Sequence, residues 1–227
     1  ISKMAAVLEQ GYASVWANCY FEIDGEPTTK FSGFGLSKSG EISPQDYYDG
    51  KITGEFLIMF RRDAIGQRRF EKGLYGSENT LWIYLFDLPA YYLHDAVRIY
   101  RFHRSDSVTI NSFKRPLCIM KGYAMTAELI LQKIAEKNAQ ASANGANSAE
   151  PKFRVNDAHI AILYKMAAYY AKFGGEYKKM YEYLFKSLKF KFTKEALAML
   201  ILSPFPKSMI LFLTKIRVWI YKKTHGE

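Results

Sequence analysis

The chain lacks the ingredients of several protein classes. Two cysteines, Cys19 and Cys118, in 227 residues exclude a disulfide-stapled scaffold, and nothing around them has metal-ligand spacing. That usage fits a reduced, cytoplasmic setting. Long apolar runs are also missing. The longest, Ala196 to Leu202, has seven residues, against the roughly 20 of a transmembrane helix. The opening residues Ile1-Ser2-Lys3-Met4 lead into an amphipathic pattern rather than the apolar core of a secretion signal. There is no P-loop, G-x-G-x-x-G, C-x-x-C, H-E-x-x-H or G-x-S-x-G. The D-x-D pair, which commonly holds a divalent ion against a nucleotide diphosphate, is absent too. Glu22-Ile23-Asp24 comes nearest, but it precedes Gly25 in a turn and reads as structural.

What is present is enough for a folded core. Apolar residues make up 49% and charged residues 24%, which suits one large domain or two small ones. The net charge of +10 is unevenly placed. Residues 1–150 carry 17 basic and 17 acidic side chains, whereas residues 151–227 carry 15 and 5. The whole excess belongs to the last third.

Periodicity divides the chain in the same way. Met4, Val7 and Leu8 mark a first helix with Gly11 as its stop. Ala13 to Ile23 is rich in aromatic and β-branched residues and predicts a strand, closed by the Asp24-Gly25 turn. Residues 26–43 hold Gly33, Gly35 and Gly40 among polar residues and read as loop. Ser43-Pro44 starts a short helix. Gly54 to Phe60 predicts a short buried strand and Arg61 to Ile65 a helical turn. Ser77 is placed to cap a helix through Leu81, Trp82 and Leu85, ended by Pro89. Tyr91 to Phe102 alternates as a strand does. A helix over about 116–137 follows, then a small polar stretch, Asn138 to Glu150, that reads as a linker. Beyond it four helices are expected. Asn156 or Asp157 caps the first, Gly174-Gly175 separates it from the second, Thr193 caps the third, and the fourth spans about 206–223.

Between residues 52 and 107 the order of features is distinctive. A buried strand ends in Phe60-Arg61-Arg62. A glycine-punctuated segment from Phe70 reaches Ser77-Glu78-Asn79-Thr80-Leu81-Trp82. A second strand ends in Tyr100-Arg101-Phe102-His103-Arg104-Ser105-Asp106-Ser107. In this order and spacing the chain resembles the inverting family-2 glycosyltransferases of GT-A fold, specifically their second half, over about residues 1–110. Two departures stand out. Ser77 precedes Glu78 where a carboxylate pair is usual, and the nucleotide-binding half with its D-x-D is expected before residue 1.

The resemblance implies an α/β fold: the back portion of a GT-A mixed-sheet domain (1–115), a helix and linker (116–150), and an all-α basic region (151–227). It implies transfer of a sugar from a nucleotide-diphosphate sugar to a hydroxyl of a sugar or lipid-linked sugar. It also implies a divalent metal, Mg or Mn, with ligands expected upstream of Ile1 and His103 as a local candidate. Glu78 becomes the general base that takes the proton of the attacking hydroxyl. On its own, Glu78 also reads as a carboxylate complementing the first turn of a helix. Arg101 and His103 become donor-diphosphate residues, where a guanidinium and an imidazole stabilise leaving-group charge. Trp82 walls the acceptor site or is an ordinary core tryptophan. Without a Q-x-x-R-W motif, single-sugar transfer is expected.

Three readings of the basic tail stand side by side: a solvated helical face, an anionic membrane surface met by residues 206–223, and nucleic acid. The last ranks lowest, because the aromatics recur at core spacing without a recognition motif. The resemblance favours the second, peripheral attachment at the inner membrane face. The alternative to an enzyme is a non-catalytic basic helical module that binds membrane or nucleic acid.

Overall fold

The structure, a computed structural model, describes residues 1–23, 25–101, 112–143 and 153–206. His103 and nearly all of the expected fourth tail helix lie outside the described residues. The elements in chain order are α1 (Ser2–Glu9), β1 (Ser14–Ile23), β2 (Glu26–Phe31), β3 (Gly33–Phe34), β4 (Gly40–Glu41), α2 (Pro44–Tyr48), β5 (Thr53–Gly54) and β6 (Phe56–Phe60). Then come α3 (Arg62–Ile65), α4 (Asn79–Trp82) with a 3-10 continuation over Ile83–Asp87, and β7 (Ala90–Arg101). The helices α5 (Pro116–Ala143), α6 (Asp157–Gly174), α7 (Tyr177–Phe190) and α8 (Lys194–Ile201) complete it. This is an α/β domain with a helical region.

β1 organises the sheet. Along one edge β7 runs parallel to it; on the other, β6 pairs antiparallel with Ser14–Asn18 and β2 pairs antiparallel beyond Tyr20. β4 extends the far side of β7. Such a strand, covered on both edges and both faces, is apolar along most of its length. Residues Ser14 to Tyr20 of β1 are accordingly buried or nearly so, and alternate residues serve different layers. Val15 and Ala17 pack with Met4 of α1, together with Leu57, Met59, Leu93 and Val97. Trp16 enters the larger cluster with Tyr48, Phe86, Tyr92 and, from the helices, Ile130, Ile134, Ile160 and Tyr164. One core therefore spans the sheet layer and helices α5 and α6. Burying each such side chain is worth about 1.5–3 kcal/mol.

Helix ends follow local chemistry. The Asn156 side chain accepts from the N–H groups of Ala158 and His159, and Thr193 accepts from Ala196. Gly175 ends α6 at φ 82°, a conformation favouring glycine. Lys172 is buried and donates to the carbonyls of Leu202 (2.9 Å) and Ser203 (2.8 Å), closing the end of α8.

Three expectations need correction. Residues 26–43, read as loop, contain β2, β3 and β4; they are short and polar because they lie at sheet edges or pair over only two residues. The segment from Asn138, read as linker, continues α5 to Ala143, as alanines at 139, 141 and 143 permit. Asn138 itself is anchored, exchanging hydrogen bonds with the backbone of Phe153 at 2.9 Å each. Ser77 is not the cap of α4: Glu78 holds the N-cap position.

Candidate active site

The cleft forms where β6 and β7 flank β1. Asn18 lies opposite Phe56 on one edge, and Cys19 lies level with Arg98 on the other. Glu55, the residue before β6, and Arg98 of β7 are thus 43 positions apart in sequence but at the same height across one intervening strand. Strands lie about 4.8 Å apart, and across β1 the charge of Arg98 still acts on the Glu55 carboxyl. The α4 N-terminus closes the opening. The resulting cleft of about 480 Å³ is lined by Trp16, Glu55, Glu78, Asn79, Trp82 and Arg98, among others.

A set of polar contacts fixes the position of Glu55. Its backbone N–H donates to Ser32 (3.1 Å), and its carbonyl accepts from the Ser32 hydroxyl (2.8 Å). Next to it, Gly54 pairs with Gly33 across the β3–β5 ladder. Gly54 has φ 87°, and a Cβ there would run into the Ser32 carbonyl, so only glycine fits. Gly33 in turn is held by buried Asn18, which donates to its carbonyl (3.1 Å) and accepts from its N–H (2.8 Å). Burial pushes the Glu55 carboxyl pKa up, and the charge of Glu78 adds to this; Arg98 and a hydrogen bond from Tyr100 pull it back. The Arg98 guanidinium also lies over the Tyr100 ring at 5.8 Å.

Glu78 is exposed and makes no capping bond to α4. The start of that helix is satisfied without it. The Ser77 carbonyl accepts from both the N–H (3.1 Å) and the hydroxyl (2.8 Å) of Thr80. Ser77 also lies against Gly122 of α5, where a Cβ would collide with its hydroxyl, so the segment before Glu78 docks closely on that helix. Glu78 borders a second, smaller recess of about 240 Å³ with Phe70, Glu71, Leu74 and Ser77. Both readings of Trp82 meet here. It packs edge-on against Phe60 and Phe70 at 5.6 and 5.3 Å, and it forms part of the cleft wall.

The structure therefore brings Glu78 and Trp82 together. Arg101 is placed elsewhere: it ends β7 with its Nε donating to Glu22 at 2.9 Å and does not line the cleft. The guanidinium of the cleft belongs to Arg98. No sequence motif marks Glu55 or Arg98; the local signal is a carboxylate immediately before the apolar run Phe56–Phe60. Among the described residues no group of three or more His, Cys, Asp and Glu side chains is arranged to hold a metal ion. The divalent metal implied by the resemblance thus has no ligand set among those residues. Among the described residues no helix is long and apolar enough to cross a membrane.

A cleft holding an exposed carboxylate, a guanidinium and an indole is suited to proton removal from a hydroxyl on a polyhydroxylated ligand, the work of glycosyl transfer. Comparison with known proteins gives the class directly: this chain belongs to a glycosyltransferase family. It is similar to the GalNAc(5)-diNAcBac-PP-undecaprenol beta-1,3-glucosyltransferase of Campylobacter jejuni, with 40% identity over 222 residues covering 98% of this chain and 67% of that protein. No family model matches the chain. No solved structure matches it.

Proposed function

We propose that the chain transfers a glucosyl residue from a nucleoside-diphosphate sugar to a hydroxyl of a polyprenyl-diphosphate-linked glycan, with inversion. The relative's name supports the donor sugar and the lipid-linked acceptor. The same name specifies a beta linkage. Formed from the usual α-linked nucleoside-diphosphate glucose, that linkage requires inversion. The single observation that carries the mechanism is Glu78 at the mouth of the cleft, exposed and unused by its helix. Glu78 takes the proton of the acceptor hydroxyl as the oxygen bonds to the anomeric carbon. The bond from that carbon to the diphosphate oxygen breaks on the opposite face, and the nucleoside diphosphate leaves with the electron pair. Trp82 offers an apolar face to a sugar ring. Arg101 and His103 are assigned to the donor diphosphate on the family resemblance, with a GT-A fold and a divalent metal as parts of the same reading. Residues 206–223 are assigned to an anionic membrane surface, consistent with a lipid-linked substrate.

The test is transfer of radiolabelled glucose from UDP-glucose to detergent-solubilised GalNAc(5)-diNAcBac-PP-undecaprenol by the wild type and by Glu78→Gln. Transfer by the wild type, lost in the variant with UDP-glucose binding retained, supports the proposal. Turnover by Glu78→Gln at the wild-type rate removes Glu78 from the mechanism.

A further inference from the structure

The cleft contains one group too many for proton abstraction alone. Glu78 suffices as a base, yet Glu55 shares the cleft with it, and that arrangement needs an explanation because two neighbouring carboxylates repel each other. The position is strongly specified: Ser32 clips the Glu55 backbone on both sides, and the Gly33–Gly54 ladder sits directly before it. Tyr100 donates a hydrogen bond to its carboxylate. A carboxylate has about four acceptor sites, so most of its capacity remains for a ligand.

The charges of the cleft say which ligand. Glu55 and Glu78 against Arg98 leave one net negative charge, which repels a nucleoside diphosphate. A neutral, hydroxyl-rich ring is not repelled. Its hydroxyls donate to carboxylates and accept from a guanidinium and a carboxamide, and its C–H face covers an indole. Arg98, Asn79 and Trp82 supply those three partners. The volume of about 480 Å³ falls within the range of small-ligand sites.

We propose that Glu55 is an acceptor-binding residue: its carboxylate accepts hydrogen bonds from sugar hydroxyls beside the one that Glu78 deprotonates, with Arg98 donating to the same ring. This deepens the glycosyl-transfer reading and rests on it for the identity of the sugar. Glu55 sets where the acceptor ring lies and therefore which hydroxyl meets Glu78. Protonation removes its charge and turns one of its oxygens into a donor, so acceptor binding weakens as the pH falls. The groups facing Glu55 are Glu78 from the α4 N-terminus, Arg98 and Tyr100 from β7, and Cys19 from β1.

The experiment titrates the full chain with methyl N-acetylgalactosaminide, following tryptophan fluorescence, for wild type, Glu55→Gln and Glu78→Gln. Loss of a hydrogen bond to a charged group corresponds to about tenfold or more in affinity. The expected result is saturable binding by wild type and Glu78→Gln, and binding at least about tenfold weaker in Glu55→Gln. In transfer assays Glu55→Gln raises the acceptor KM by a similar factor and leaves the UDP-glucose KM unchanged. Equal binding by Glu55→Gln and wild type, or no saturable binding by wild type, overturns the proposal. Thermal denaturation controls for folding, and Glu55→Gln is expected to match wild type there, because burial already disfavours the charge it removes. Failure of the base assignment reads out separately, as turnover by Glu78→Gln while Glu55→Gln still loses sugar affinity.

Discussion

Replacing Asn18 by alanine tests how the strand core positions the cleft. Asn18 is fully buried at the centre of β1. Its side-chain amide donates to the Gly33 carbonyl (3.1 Å) and the Tyr92 hydroxyl (3.2 Å). Its oxygen accepts from the N–H groups of Gly33 (2.8 Å) and Cys19 (3.0 Å). Gly33 is itself buried, so truncation strands its N–H and carbonyl away from water. At about 1–3 kcal/mol for each orphaned group, the loss is about 2–6 kcal/mol. That is a large part of the 5–15 kcal/mol typical of a domain. Urea denaturation followed by circular dichroism measures it, with the midpoint falling at unchanged slope. A second readout ties the change to function: Gly33 holds Gly54, which precedes Glu55, so the variant also weakens binding of methyl N-acetylgalactosaminide. A stability loss below about 1 kcal/mol would refute the argument that these four bonds anchor the segment.

Two further substitutions probe the helical region. Lys172→Met removes the ammonium that closes the end of α8 and leaves the Leu202 and Ser203 carbonyls without their donor; a loss of about 2–4 kcal/mol is expected in the same denaturation experiment. Burial holds the His159 imidazole below its ordinary pKa, with Asp49 pulling it partly back. The unfolded chain therefore binds the extra proton first, and stability falls as the pH drops through about 6.5 and below. His159→Asn should flatten that part of the pH–stability curve, and an unchanged slope counts against the burial of this group.

Legibility in the sequence followed how local the determining physics is. β7 was readable because Tyr91 to Arg101 alternates, and β1 because it is aromatic and β-branched along a run closed by a turn. The Asn156 and Thr193 caps and the Gly175 stop are contacts within a few residues, so spacing alone reveals them. The strands within residues 26–43 were missed because they are polar and glycine-rich, and only pairing with β1, β5 and β7 makes them strands. Glu78 and Trp82 are candidates from a motif within one short segment, and both line the cleft. Glu55 and Arg98 line one cleft only because an antiparallel and a parallel neighbour flank the same strand, a consequence of topology that no local pattern encodes. Arg101 stands at the strand exit, as its local pattern predicts, and its partner there is Glu22 from the neighbouring strand. Clustering of the basic excess after residue 150 remains the clearest compositional feature of the chain.

If Glu78 removes the acceptor proton in glycosyl transfer, its loss slows the chemical step itself. In single-turnover reactions, with enzyme in excess over labelled UDP-glucose and acceptor saturating, the rate of glucose incorporation is compared between wild type and Glu78→Gln. General-base catalysis contributes about 10²–10⁴-fold, so the variant should slow by that factor while binding UDP-glucose as the wild type does. Single-turnover rates that are equal within experimental error would mean that Glu78 is not the base.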